Sequence, residues 1–134
     1  MLCCKYTIPR MLEGGGGSII FTSSIAGIAG EPVRGAYGAS EHGVIGLMRR
    51  VASAYGRRGI RANAIAPGAV DNGGNRGSGA PMLELYERRT LVPRELRQDD
   101  VANLALFLAS EESGFITGQV LAIEGGVMSA APAI

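Results

Sequence analysis

Two oxygen-bearing side chains, Ser24 and Tyr37, are spaced so that a fold could bring them to one reacting group. Ser24 comes directly after an apolar, β-branched run at 19–23, and Tyr37 follows thirteen positions later, near the start of a helical segment. The run predicts a buried parallel strand, and open α/β sheets bind their ligands at the carboxyl ends of such strands. A serine hydroxyl and a phenol both donate and accept hydrogen bonds. This pair is therefore the candidate chemical centre.

The apolar residues around this pair predict alternating strands and helices. Helices are expected over 36–55, where apolar residues recur at three- and four-residue steps, and over 98–108. Strands are expected over 19–23, 60–65 and 119–123. Because a strand–helix–strand order gives right-handed parallel crossovers, the predicted fold class is α/β, in a layered arrangement around one parallel sheet.

Proline and glycine mark the expected ends of these elements. Residues 1–12 have apolar residues at helical spacing, but Pro9 is expected to interrupt a helix that begins at Met1, so the segment reads as the tail of a longer helix. Pro67 and Gly68 are expected to end the second strand. Residues 71–81 read as a loop that leads into a helical segment at 82–89.

Other kinds of site lack the residues that they need. The one histidine, His42, is the only candidate base for a serine hydrolase, and no serine lies in a Gly-x-Ser-x-Gly turn. Cys3 and Cys4 are adjacent and have no further Cys or His nearby, so no metal site is predicted. The glycines at 14–17 precede a strand instead of following one, and those at 73–79 lack the Lys-Ser/Thr ending of a phosphate loop.

Composition narrows the classes of partner. The formal net charge is +1, aromatic residues make up 5% and tryptophan is absent, so neither nucleic acid nor an anionic membrane surface is expected as a partner. No apolar run reaches the roughly 18 residues that span a bilayer. Adjacent thiols that cannot easily pair suggest a reducing compartment, and a cytoplasmic location is expected.

Several short segments together resemble the short-chain dehydrogenase/reductase family. They occur in the family's order and at its spacings over nearly the whole chain. The segments are Ser23–Gly27, Tyr37–Ser40, Asn63–Gly68, Asp100–Ala102, Phe107–Ser110, Ile116–Gln119 and Glu124–Gly126. The resemblance is to the C-terminal half of the family's fold. It implies a Rossmann-like, doubly wound sheet, of which this chain holds about three parallel strands with flanking helices.

The resemblance also implies a chemistry, the transfer of a hydride between NAD or NADP and a small carbonyl or alcohol. By that likeness Ser24 hydrogen-bonds the substrate oxygen and Tyr37 exchanges a proton with it, because the oxygen becomes alkoxide-like as hydride arrives. Pro67, Gly68 and Val70 match the turn that lines the nicotinamide. Asn72 stands where the family often has a threonine that touches the carboxamide.

Two departures limit what the resemblance implies. The family has a lysine four residues after the tyrosine, which holds the cofactor's ribose and favours the phenolate; this chain has Glu41, whose charge does the opposite. The family's dinucleotide-binding first half has no counterpart in residues 1–134, which are expected to form a single partial domain. We therefore expect weak or absent activity, and cofactor binding by this chain alone is in question.

Alternatives from other classes stay open at this stage. The chain could be a non-catalytic interaction or oligomerisation module, or a truncated gene product. The apolar stripe of helix 36–55 resembles the family's subunit interface, so a homo-oligomer is expected. Neither the substrate nor the choice between NAD and NADP is predicted, because substrate-selecting loops vary freely between relatives and the cofactor-selecting residues belong to the missing half.

Overall fold

The computed structural model describes residues 1–30, 33–71, 84, 86 and 88–129. In these parts of the chain the longer elements follow one another as helices α1 to α3 and strands β1 to β5. They are α1 (Leu2–Glu13), β1 (Gly17–Thr22), α2 (Gly35–Tyr55), β2 (Ile60–Pro67), β3 (Val70–Asp71), β4 (Leu96–Arg97), α3 (Gln98–Ala109) and β5 (Val120–Ile123).

Three of the strands form one parallel sheet in the order β1-β2-β5. Gly17 pairs with Ile60 at one end of the β1–β2 ladder, and Pro67 pairs with Ile123 at the end of the β2–β5 ladder. The prediction of an α/β fold with three parallel strands and flanking helices is confirmed. Strand β2 is central, so its carboxyl end lies between those of its neighbours.

The core forms where α1 and α2 pack against β2. Ile8 of α1 is buried, as are Ile45 and Met48 of α2 and Ile60 of β2. Full burial of such a side chain contributes about 1.5–3 kcal/mol. The apolar stripe predicted for α2 was Val44, Leu47, Met48, Val51, Ala52 and Tyr55. Of these Met48 and Val51 are buried, and the buried Ile45 lies outside the predicted set. This packing holds the middle of α2 against the sheet.

The prediction that Pro9 interrupts the first helix was wrong, whereas the prediction that Pro67 and Gly68 end the second strand is confirmed. Helix α1 continues through Pro9 to Glu13, because the neighbouring Ile8 is anchored in the core and outweighs one missing hydrogen bond. Strand β2 extends to Pro67, because pairing with β5 continues there, and the N–H of Gly68 still donates to the carbonyl of Ile123 at 3.0 Å.

A second, two-stranded ladder was not predicted. Val70 of β3 pairs in parallel with Leu96 of β4. Two-residue strands carry no periodic signal, so only the folded chain reveals them. Of the predicted helical segment at 82–89, the residues within the description are helical: Glu84, Tyr86, Arg88 and Arg89. The remainder of that segment, and the predicted loop beyond residue 71, lie outside the described residues.

The first glycine cluster has a structural function at the amino end of the sheet. Gly16 has a φ of 121°, and a Cβ added to it would lie 2.2 Å from the carbonyl oxygen of Gly59. The N–H of Gly17 donates to that same oxygen at 3.0 Å. Backbone thus packs on backbone where β1 and β2 begin, which accounts for glycine here without a phosphate ligand.

Helix α3 is only partly covered by the sheet. Its predicted inner face was Val101, Leu104, Ala105 and Leu108; Leu108 is fully buried, and the other three are partly exposed. Among the described helices, none is long and apolar enough to cross a bilayer.

Candidate active site

Ser24 stands at the carboxyl end of β1, where the chain leaves the sheet. Its backbone is extended, with φ −149° and ψ 162°, and it begins a short 3-10 turn at Ile25–Gly27. Its Oγ accepts a hydrogen bond from the N–H of Ala26 at 3.2 Å. This bond uses the oxygen as acceptor, so the hydroxyl proton remains available for a ligand oxygen.

The neighbouring Ser23 ties this turn to α2. Its buried hydroxyl donates to the backbone carbonyl of Glu41 at 3.1 Å. Gly27 completes the contact, because a Cβ there would lie 2.6 Å from Ser23 Oγ and 2.9 Å from the carbonyl oxygen of Glu41. The turn capped by Ser24 is therefore held against α2. Tyr37 lies on this helix, one helical turn before Glu41.

Tyr37 is the third residue of α2, and its side chain is 37% exposed. The guanidinium carbon of Arg34 lies 4.6 Å from the centre of its ring, within the range of a cation–π contact. Arg34 was not among the residues singled out from the sequence, although an Arg three positions before an aromatic residue at a helix start could have suggested the contact. A cation thus lies beside the phenol.

Glu41 carries a polar atom that the fold does not satisfy. Its Oε2 is buried and has no hydrogen-bond partner within the described part of the chain. Because Glu41 is four residues after Tyr37, the two side chains lie on the same face of α2. The next residue, His42, turns back to its own helix, where its Nδ1 donates to the carbonyl of Gly38 at 2.9 Å.

The turn after β2 lies at the same edge of the sheet as Ser24. In this turn the N–H of Gly68 donates to the carbonyl of Ile123. A Cβ added to Gly68 would lie 3.1 Å from the Cβ of Glu124. Pro67 ends β2 and Val70 begins β3, which fixes the path of the chain between them. Asn72 lies outside the described residues.

The fold thus brings most of the predicted site residues to one side of the molecule. Ser24, Pro67, Gly68 and Val70 follow the carboxyl ends of β1 and β2, and Tyr37 and Glu41 lie in the first two turns of the adjoining helix. In the described ranges no group of three His, Cys, Asp or Glu residues is placed to hold a metal ion.

The sequence as a whole matches known proteins along nearly its full length. A family model described as enoyl-(acyl carrier protein) reductase matches residues 1–128. A probable short-chain type dehydrogenase/reductase of Bradyrhizobium diazoefficiens is 39% identical over 133 residues, which are 98% of this chain and 47% of that protein. The chain belongs to the short-chain dehydrogenase/reductase family. It is thus related to oxidoreductases, and it spans about half the length of the curated relatives it matches.

Solved structures of this family share the fold described above. A short-chain type dehydrogenase/reductase from Mycobacterium ulcerans superposes with a TM-score of 0.86 at 36% identity, covering 95% of this chain and 47% of that one. A gluconate 5-dehydrogenase from Burkholderia cenocepacia, solved with NADP and tartrate, has a TM-score of 0.86 at 31% identity and covers 96% and 51%. The described sheet and helices are therefore a Rossmann-like part of a short-chain dehydrogenase/reductase.

Proposed function

We propose that this chain carries the substrate and nicotinamide end of an oxidoreductase site that transfers a hydride between NAD or NADP and a small carbonyl or alcohol. The observation that carries the proposal is the link between β1 and α2, in which Ser23 and Gly27 hold the turn at Ser24 against the helix of Tyr37. In this proposal the hydroxyl of Ser24 and the phenol of Tyr37 address the same reacting oxygen at the carboxyl edge of the sheet.

Ser24 binds and orients the reacting oxygen in this proposal. Its Oγ is already engaged as an acceptor by Ala26, so it addresses a substrate as a hydrogen-bond donor. A donor of this kind stabilises the negative charge that develops on a carbonyl oxygen during reduction. The short 3-10 turn fixes its direction before the substrate arrives.

Tyr37 exchanges a proton with that same oxygen. A phenol suits this task because it can give a proton to an alkoxide-like oxygen and take one from an alcohol. The Arg34 guanidinium beside the ring favours negative charge on the phenol, whereas Glu41 on the same helix face disfavours it. Proton transfer by Tyr37 is consequently weaker than it would be with a lysine at position 41.

We propose that the residues at this edge hold the nicotinamide riboside end of the cofactor. The buried, unsatisfied Oε2 of Glu41 would accept hydrogen bonds from ribose hydroxyls once its side chain turns toward them, in place of a lysine that would donate them. Pro67, Gly68 and Val70 line the ring, with Asn72 as the proposed contact for its carboxamide. When bound, the cofactor supplies or takes up the hydride. The gluconate 5-dehydrogenase structure holds NADP. Parallel assays with NADH and NADPH identify which cofactor this chain uses.

The proposal is tested by following oxidation of NADH and NADPH at 340 nm with small ketones. The purified chain is expected to turn over slowly, because the first half of the dinucleotide site belongs to the part of the family fold that it does not match. Glu41→Lys should raise the rate by roughly tenfold or more, since replacing a negative by a positive charge one helical turn from Tyr37 changes the Coulomb energy of a developing phenolate by more than about 1.4 kcal/mol. Tyr37→Phe should abolish turnover in both backgrounds; turnover that survives this change would disprove the assigned chemistry.

A second candidate function is a non-catalytic interaction or oligomerisation module. Strand β1 is an edge of the described three-stranded sheet, so its outer backbone groups could pair with another chain. A groove of about 430 Å³ also runs between α1 and α2, with Ile8, Leu47 and Val51 among its apolar residues and Arg50 and Arg58 among its basic ones. Size-exclusion chromatography with light scattering tests this candidate, and a compact monomer that recruits no partner argues against it.

A further inference from the structure

The buried carboxylate oxygen of Glu41 belongs to a residue whose backbone is held in place. The backbone of Glu41 is held by the hydroxyl of Ser23 at 3.1 Å, and Gly27 packs against the same carbonyl. Its Oε2 has no partner among the described side chains and backbone groups. A buried acceptor without a donor is unfavourable, so this atom favours a ligand that brings a hydroxyl donor or a positive charge.

Position 41 also determines the charge that a nicotinamide ring would meet. The oxidised ring is a pyridinium cation, whereas the reduced dihydropyridine ring is neutral, and the ribose hydroxyls are the same in both. A carboxylate therefore binds the ribose equally well in both forms but attracts only the oxidised ring. The described cation nearest in sequence is Arg34, which lies over the Tyr37 ring and acts in the opposite direction.

Resting on the proposed function, we propose that Glu41 makes the nicotinamide end of this site selective for the oxidised, cationic ring over the reduced, neutral ring. The expected preference is at least about tenfold, because a unit charge within about 12 Å of the ring interacts with it by about 1.4 kcal/mol or more at an effective dielectric constant of about 20. The consequence for a complete site is a bias toward holding the cofactor in its oxidised form.

Nicotinamide riboside and its dihydro form are suitable probes, because they carry the ring and ribose without phosphates or adenosine. Each is titrated into the ¹⁵N-labelled 134-residue chain, and the dissociation constant is read from amide shifts of Tyr37 and Val70. The chain should bind the oxidised riboside at least about tenfold more tightly. Glu41→Gln, which keeps the shape and removes the charge, should bring the two affinities within about twofold of each other. Arg34→Gln should widen the preference.

Glu112→Gln is the matched control. It removes one exposed carboxylate from the turn at Glu111–Ser113, which lies at the amino end of the sheet because Ser113 contacts Arg61 near the start of β2. This variant should keep the tenfold preference. Equal affinities in the parent chain, or a preference that survives Glu41→Gln, would overturn the selectivity. Absence of any shift with either riboside would instead remove the nicotinamide site itself, and the proposed function with it.

Discussion

Ser23 donates a hydrogen bond from its Oγ to the backbone carbonyl of Glu41, 3.1 Å away. The bond joins the carboxyl end of β1 to the second turn of α2, so it connects the two elements that carry Ser24 and Tyr37. Neither the Ser23 hydroxyl nor the Glu41 carbonyl has a role in the proposed chemistry. The bond is therefore a support for the site, and its loss should affect stability and geometry together.

Replacing Ser23 by alanine should lower the free energy of unfolding by about 1–3 kcal/mol, because a buried hydroxyl is lost and its acceptor is left without that donor. Urea denaturation followed by circular dichroism measures the change. Ser53→Ala is the control, since Ser53 is exposed on the same helix. A Ser23→Ala variant that unfolds no more easily than Ser53→Ala would mean that the Ser23 bond contributes nothing to stability.

The sequence was sufficient for those elements that are long and periodic. Helix α2 was predicted over 36–55 and occurs at Gly35–Tyr55; the last strand was predicted over 119–123 and occurs at Val120–Ile123. These segments bury one regular face, so apolar spacing alone locates them. The elements that depend on distant partners were missed, because a pairing such as Val70 with Leu96 has no local signal.

The candidate site shows the same division. Motif spacing singled out Ser24, Tyr37 and Glu41, which lie on elements joined by the Ser23 bond. It did not reveal Ser23 itself or the contact of Arg34 with the Tyr37 ring. Hydrogen bonds from a side chain to a distant carbonyl depend on tertiary packing, and residue identity alone predicts them poorly.

Gly27→Ala should destabilise the chain by about 1–3 kcal/mol, the usual effect of overpacking a well-filled contact. The new Cβ would lie 2.9 Å from the backbone carbonyl oxygen of Glu41 and 2.6 Å from Ser23 Oγ, so the turn and α2 must separate. Thermal unfolding of the variant is the measurement. Gly30→Ala serves as the matched control, because a Cβ there meets nothing within 4 Å. A variant at Gly27 that unfolds at the parent temperature would contradict this close packing.

Arg61→Met should cost about 2–3 kcal/mol of stability, because charge-assisted hydrogen bonds to the end of α3 are lost. The guanidinium donates to the carbonyls of Leu108 at 3.2 Å and Ser110 at 3.0 Å, and to Ser113 Oγ at 3.0 Å. Guanidine denaturation reports the loss.

Two further variants separate charge from geometry at this position. Arg61→Lys keeps the charge but not the planar fork of donors, so it should recover only part of the stability. Arg57→Met removes an exposed arginine near the end of α2 and should change stability by less than about 0.5 kcal/mol. Full recovery by lysine would show that charge alone, and not the set of directed bonds, caps α3.

Asp100 should make the stability of the chain depend on pH in acid. Its carboxylate accepts hydrogen bonds from both terminal nitrogens of Arg94, at 2.6 and 2.7 Å. It also accepts one from the backbone N–H of Arg97 at 2.9 Å. The hydrogen bond from Arg94 and then that from Arg97 lower the pKa of Asp100 from its usual 3.8 to about 2. A lowered pKa means that the folded state favours the charged carboxylate. This contribution to stability is complete above pH 3.8 and is lost as the pH falls toward 2.

The measurement is the urea unfolding midpoint of parent and Asp100→Asn between pH 6 and pH 2. The variant should be less stable at pH 6 and should lose less stability on acidification, so that the two curves converge near pH 2. Asp99→Asn, which alters an exposed carboxylate in the same first turn of α3, should keep the acid-dependent loss of the parent. Parallel curves for parent and Asp100→Asn would show that neither Arg94 nor the N–H of Arg97 holds the carboxylate in solution, since without these donors the pKa of Asp100 would not be lowered in the folded state.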